Sequence, residues 1–264
     1  MPIVRRMGDV VPRVIYKAAG ASLVKSAQRT MEILEFFADY KAVATRVEIA
    51  EALGYPESST GALLKTLVDL GYLRYDVQRR SYSGAPRLAF LGDWIDPDLV
   101  TPGPIHEMMQ RINDRSGERV ILVSRDGTHI RYIHSVYPKH KSKFEFGMGH
   151  ALPLTSSGGG RCFLSVLPDA EVVALARRIN TEVDPTRVVK VNLLLDAISE
   201  IRRIGYALYY GVDLPYGVVA VYLSRPPPLE PFAVCISASI ELLKTRHEEF
   251  ASILKEEVGS LYPR

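Results

Sequence analysis

Between Lys25 and Asp39 apolar residues recur at Ala27, Met31, Leu34 and Ala38, a spacing that predicts a helix. Thr45 and Glu48 then stand three apart, the pattern of a capping box in which hydroxyl and carboxylate reciprocally satisfy free amides at a helix start. Gly54 ends this short helix, and Pro56 suits the first turn of the next, where a missing N–H costs nothing. That third helix presents Leu63, Leu64, Leu67 and Leu70 to a core and stops at Gly71. Residues 72–84 alternate as a strand, a tight turn and a second strand. Past Leu88, Leu91, Trp94 and Ile95, a cluster of Pro97, Pro102 and Pro104 breaks any helix and marks a linker. The apolar positions before the prolines could be core, or a contact with a second copy of the chain.

From Ile105 the pattern changes. A helix leads into two alternating runs joined at Asp126-Gly127, a strong hairpin signal. The Gly-rich stretch TSSGGGR (155–161), two helical stretches, three further strands and a charged C-terminal helix follow. The mixture predicts an α+β sensor-like domain. The expected organisation is a basic flexible tail over 1–21, three helices and a hairpin over 22–86, a linker helix with its prolines over 87–104, and a second domain over 105–264.

Charge sharpens this picture by where it lies. Through Ile95 there are 13 Lys/Arg against 10 Asp/Glu, and the remainder has 20 of each. All the net positive charge therefore sits in the first third, much of it at Arg5, Arg6, Arg13, Lys17, Lys25 and Arg29, as suits a polyanion partner. The two cysteines, Cys162 and Cys235, have no C-x-x-C spacing and fit a reducing cytoplasm better than a disulfide scaffold. No apolar run approaches the ~20 residues needed to span a bilayer, so a cytoplasmic protein with no membrane partner is expected.

The segment VEIAEALGYPESSTGALLKTLVDLGYLRYDVQRRSYSGAPRLAFLG resembles the winged helix-turn-helix of the IclR family of bacterial transcription regulators. GHALPLTSSGGGRCFLSVLPDAEV and LLDAISEIRRIGYAL resemble two landmarks of that family's second domain, so the likeness covers roughly Ser22 to Leu261. It implies an α+β architecture in which a linker helix joins the winged domain to a GAF-like effector-binding domain. It also implies double-stranded DNA as partner, and a dimer or dimer of dimers on a pseudo-palindromic operator. No cofactor is implied.

Within the third helix Ser58, Ser59 and Thr60 can reach phosphates or base edges, the helix-start amides favour phosphate, and Gly61 and Ala62 allow close approach to the major groove. The family pattern usually has arginine at Ala62, so a departure from the usual operator is expected. Cations come from Arg46, Lys65 and, at the wing tip, Arg79 and Arg80. The second candidate site is the loop at Ser157, Gly158 and Gly159. It lacks Walker spacing, yet its amides and the following helix can face a small anion. By resemblance, the family holds small carboxylate effectors at this loop through backbone amides. It adds an acidic residue and a serine pair, whose nearest matches here are Asp213, Ser237 and Ser239. A bulky residue at Gly159 is then expected to remove ligand response while leaving the fold intact.

Phe144, Phe146, Tyr206, Tyr209, Tyr210, Tyr216 and Tyr222 crowd the second domain; if several line the pocket, a flat aromatic acid would suit it. Histidines 129, 134, 140 and 150 do not form a ligand set by spacing, and His129 and His134 should face opposite sides of a strand. No catalytic constellation is evident, so no catalytic residue is assigned. The alternative is an enzyme acting on a small carboxylic acid, its helical domain serving oligomerisation, with Cys162 as nucleophile if folding brought a histidine to it.

Overall fold

A computed structural model describes residues 24–40, 43–91, 103–138, 151–211 and 215–261. They fall into two compact units. The expected basic tail, most of the linker helix with Trp94 and Ile95, and Phe144, Phe146, His140, His150 and Asp213 lie outside the described residues.

The first unit packs α1 (Lys25–Tyr40), α2 (Arg46–Leu53) and α3 (Glu57–Asp69) against a three-stranded sheet of β1 (Ala44–Thr45), β2 (Leu73–Asp76) and β3 (Ser81–Gly84), in the order β1-β3-β2. The capping box is formed: the Glu48 amide donates to Thr45 Oγ1 at 3.3 Å, and the Thr45 amide donates to Glu48 Oε2 at 2.7 Å. Gly54 closes α2 at φ 68°, a left-handed conformation open to glycine without a Cβ penalty. Ile33, Phe36, Phe37, Ile49, Leu64, Leu67 and Leu73 make the core. On α1 this is not the stripe of Ala27, Met31, Leu34 and Ala38, because Met31 is 58% exposed while Ile33 is fully buried. Two faces of that helix carry apolar residues at helical spacing, and the bulkier one went inward. Leu70 is also exposed, since it lies past the last turn of α3. The linker reading meets a short 3-10 turn at Pro86–Phe90, where Leu88 packs against the core.

The second unit is built on a six-stranded antiparallel sheet in the order β6-β5-β4-β9-β8-β7. The strands are β4 (Arg119–Asp126), β5 (His129–Val136), β6 (Ala151–Pro153), β7 (Ala207–Tyr210), β8 (Tyr216–Leu223) and β9 (Phe232–Ser239). One sheet face carries Val120, Leu122, Val219, Val221, Val234 and Ile236 into a core closed by α4 (Pro104–Ser116) and α8 (Ile240–Leu261). The other face is covered by α5 (Gly158–Ser165), with α7 (Val191–Ile204) packed on α5 and α6 (Asp169–Glu182) on α7. Period-two alternation assigns Arg119, Ile121 and Val123 to this second face, together with Cys235, Ser237 and Ser239.

Helices α4 and α8 are clamped by Glu257, 8% exposed, which accepts from Arg111 Nε at 2.7 Å and Arg115 Nη1 at 2.8 Å. Burial pushes this carboxyl up, but the hydrogen bonds from the two guanidiniums together hold it below the usual carboxylate range. A carboxyl depressed in the folded state stabilises above its unfolded pKa of ~4.3 and loses that contribution as pH falls through the folded value. Glu257→Gln should therefore cost about 1–2 kcal/mol at neutral pH, the partner arginines being half exposed, and should cost less as pH falls below ~4. Chemical denaturation at pH 7 and pH 3.5 checks the sign; an equal loss at both would refute it.

Candidate functional site

The first candidate surface is the outer face of α3. Ser58, Ala62, Lys65 and Asp69 are exposed at helical spacing, while Leu64 and Leu67 anchor the opposite side. Thr60 must be removed from the expected contacts: it is fully buried, and its hydroxyl donates to the Pro56 carbonyl at 3.1 Å. Ser59 turns its hydroxyl onto the same carbonyl at 3.0 Å, leaving Ser58 as the outward hydroxyl of the first turn. Arg46 pairs with Glu57 at 3.1 Å, so part of its charge is spent within the unit. Its stem crosses Gly61, where an added Cβ would meet Arg46 Cδ at 3.1 Å. Gly61 thus also makes room for a neighbouring side chain.

The wing supplies the remaining charge. β2 and β3 pair from Leu73↔Gly84 to Asp76↔Ser81, leaving residues 77–80 as the tip. The Asp76 carboxylate accepts from the amides of Gln78 at 2.9 Å and Arg79 at 3.0 Å, and so shapes the turn. Arg80 stands at φ 49°, a left-handed conformation unfavourable to a side chain. Both arginines are exposed.

The second candidate site lies where α5 meets the sheet. Ser157 is its N-cap: the hydroxyl accepts from the Gly160 amide at 3.1 Å and donates to the Pro153 carbonyl at 3.0 Å. That hydroxyl is committed to the fold, which corrects its reading as a ligand contact. The Arg161 amide bonds the Ser157 carbonyl at 3.0 Å, so the spare donors of the first turn are Gly158 and Gly159. The glycines also have a packing reason. A Cβ at Gly158 would collide with Val218, one at Gly159 would stand 2.8 Å from Val123 Cγ2, and one at Gly160 would enter the Leu154 backbone. A bulky residue at Gly159 would therefore disturb the fold itself, contrary to the sequence-based expectation.

Strand register shows which way this helix points. Gly158 sits over Val218, whose β9 partner is Ser237; Phe163 meets Tyr222 edge-on at 5.7 Å, and Tyr222 is paired with Ala233. The N-terminus of α5 thus faces the end of the sheet that carries Ser237 and Ser239. Ser239 also accepts from the Leu242 amide at 3.2 Å, at the start of α8. In the row of Ser237 stands a residue the sequence reading missed. Arg119 pairs with Ser237 across β4 and β9, and is 4% exposed. It donates to Ser135 Oγ at 3.0 Å and lies over the Tyr137 ring at 4.7 Å. A charged residue opening the apolar run VILV was the available signal, but its neighbour Ser237 is 118 positions away. On the far side of Gly158, Arg161 donates to the Thr155 carbonyl at 3.0 Å and lies over Tyr209; burial lowers its pKa.

Three of the aromatic residues expected near the site divide between the two faces of the sheet. Tyr206 packs with His247 and Lys255 on the α8 side, whereas Tyr209 and Tyr222 lie on the α5 side. Cys162 is buried, and burial pushes its thiol up to about 12, the opposite of an activated nucleophile. A bulge at Ile133 shifts the register between His129 and His134, so simple alternation fails there. His134 instead meets His106 of α4 at 2.9 Å, beside a small cavity of about 90 Å³ lined with Ile105, Leu122 and Ile133. Among the described residues no group of three or more His, Cys, Asp or Glu could hold a metal ion, and no helix is long and apolar enough to cross a membrane.

Family models match both units: the bacterial transcriptional regulator IclR C-terminal domain over residues 104–258, and the IclR helix-turn-helix domain over residues 26–77. The transcriptional repressor IclR of Escherichia coli is 25% identical over 194 residues, covering 72% of this chain and 70% of that protein. The regulator XynR of the same organism is 24% identical over 187 residues, covering 70% and 74%. Among solved structures, the IclR of Thermotoga maritima shares the fold with a TM-score of 0.65 at 21% identity, over 90% of this chain and 97% of that one. An IclR homolog from Microbacterium hydrocarbonoxydans, complexed with 4-hydroxybenzoate, has a TM-score of 0.62 at 18% identity, over 89% and 97%.

Proposed function

The chain belongs to the IclR family of bacterial transcription regulators, and from that premise we propose that it binds a pseudo-palindromic operator as a dimer or tetramer and senses a small organic acid. It is a DNA-binding regulator and not an enzyme, as its relatives are. What supports the sensing role is that the start of α5 lies over Val218, the β8 neighbour of Ser237, with Ser239 two residues further along the same strand. Helix-start amides favour negative charge, and serine hydroxyls can complete a carboxylate's hydrogen bonds. Asp213 is the remaining proposed member of the site. The homolog holding 4-hydroxybenzoate is itself bound to such an acid, which supports the reading.

Two copies would associate through the winged domains, where Val24, Met31 and Leu91 are exposed, and so align two reading heads on one duplex. A ligand changes their spacing only by binding the competent and incompetent arrangements with different affinity. The reading places the protein in the cytoplasm, with DNA.

Genome-fragment selection with the purified protein tests the proposal. Recovered fragments should share an inverted repeat, and acids handled by the neighbouring gene products should shift the affinity for it. Specific fragments that no metabolite releases would leave a DNA-binding module answering only to a protein partner. Turnover of such an acid, without any DNA shift, would instead revive the enzyme reading.

A further inference from the structure

On the α5 face of the sheet, the registers of β7, β8 and β9 set Tyr209, Val218 and Ser237 side by side in one cross-sheet row. The start of α5 lies over this row: a Cβ at Gly158 would collide with Val218 and stand 3.2 Å from Tyr209 Cβ. Above Tyr209 itself lies the guanidinium of Arg161, its Cζ 4.8 Å from the ring centre. Arg161 sits about one turn beyond Gly158 in α5, but its side chain folds back. Its Nε donates at 3.0 Å to the carbonyl of Thr155, which precedes the helix. The charge is thereby returned to the end of α5 where the Gly158 and Gly159 amides are spare.

What sets Arg161 apart is that the fold gives its charge no counter-ion. Among the described residues no carboxylate pairs with it, and the Thr155 carbonyl is the side chain's one acceptor, leaving Nη1 and Nη2 uncommitted. Arginines on the neighbouring helices are answered by acids: Arg178 by Glu182, Arg202 by Asp169 and Arg203 by Glu200. Around Tyr209 the charges are cationic instead, since Arg161 and Arg187 both draw its phenol down against the burial that raises it. Arg161 is half-buried, and burial weighs against its charge. A charge in such a place is costly unless something pairs with it. Fixed by Nε and by the ring face, the guanidinium keeps its two Nη groups as an oriented pair of donors, the arrangement that suits a carboxylate.

We propose that Arg161 supplies the counter-charge of the effector site: a carboxylate at the first-turn amides of α5 is met from the Tyr209 side by the Arg161 Nη donors and from the β9 side by Ser237. This rests on the acid-sensing reading of the same site and adds to it the residue that reads the ligand's charge. A neutral amide of the same shape offers the guanidinium one carbonyl oxygen and no charge. Arg161 therefore selects the ionised acid over its uncharged analogue.

The test uses the full-length protein and matched pairs of probes, by titration calorimetry at neutral pH and fixed salt: benzoate against benzamide, 4-hydroxybenzoate against 4-hydroxybenzamide, and hexanoate against hexanamide. At least one acid should bind the unmodified protein, about tenfold or more tightly than its amide. Arg161→Gln should weaken that acid by about tenfold or more and leave the amide within about twofold of its original affinity. Arg161→Lys should recover part of the acid's affinity, since charge returns without the fork. An acid affinity that survives Arg161→Gln overturns the assignment but leaves acid sensing standing. So does an equal loss for acid and amide, which would make Arg161 a structural clamp on the start of α5, and so does equal binding of the two to the unmodified protein. Failure of all three acids to bind overturns the acid-sensing reading and the assignment with it. If Arg161→Gln does not fold, Arg161→Lys decides: the acid should weaken several-fold while the amide holds, and an unchanged ratio overturns the assignment.

Discussion

Gly160→Ala should be the most damaging small substitution in the second unit, costing about 3 kcal/mol or more. An added Cβ would stand 2.5 Å from Leu154 Cα and 2.5 Å from Ser157 Oγ, and would also strike the Leu154 carbonyl oxygen. Two of these three atoms are backbone and cannot rotate aside. The third is the N-cap hydroxyl, whose displacement would release the Gly160 amide and cost about 1 kcal/mol again. Gly159→Ala should cost less, about 1–2 kcal/mol, because its nearest neighbours are the side chains of Val123 and Cys235, which can shift. For a unit of this size, 3 kcal/mol corresponds to a fall in Tm of roughly 10 °C. Calorimetric melting of both variants checks the order. A Gly160→Ala protein that melts with the unmodified one would mean that the start of α5 is looser than its packing implies. The same geometry means that substitutions at these glycines confound ligand binding with folding.

How far the sequence was legible depended on how local each signal was. The Thr45–Glu48 box, the left-handed Gly54 and the wing turn are each determined within a few residues, and each is found as expected. The helical period of α1 was equally visible, but not its orientation: only the packing of Ile33, Phe36 and Phe37 against α2 and α3 decides which apolar stripe is buried. Side-chain roles that depend on direction also escaped. Thr60 reads as one of three hydroxyls in a row, and only the turn of the helix buries it while leaving Ser58 outside. In the second unit the glycines advertised a special loop, correctly, without revealing that their first function is to let a helix lie on Val218 and Val123. Arg119 was invisible for a stronger reason. Its meaning comes from the β4–β9 register, a pairing across more than a hundred residues that no local pattern encodes.

Arg79→Ala/Arg80→Ala should weaken DNA binding across all sequences and flatten its salt dependence. Taken alone, α3 is a poor electrostatic partner for DNA: Lys65 is balanced by Asp69, and Arg46 already meets Glu57. The wing tip is where two exposed cations adjoin, on a turn that Asp76 holds in shape. Each phosphate contact adds ~0.9 to the slope of log affinity against log salt, so removing two should make it shallower by about 1.8. The loss at moderate salt should be on the order of tenfold or more, similar for specific and non-specific duplexes, because phosphate contacts carry no sequence information. Arg80 also permits a control that separates the fold from the interaction. Its φ of 49° favours glycine, so Arg80→Gly should leave the winged unit as stable as before, or up to about 1 kcal/mol more stable, while still losing DNA affinity. A side chain kept where the backbone prefers none is accounted for if it does something beyond the fold. Fluorescence anisotropy across a salt series, with thermal melting of the same variants, measures both quantities. Unchanged affinity in the double variant at moderate salt would remove the wing from the interface, and the charge needed for DNA would then have to come from elsewhere in the chain.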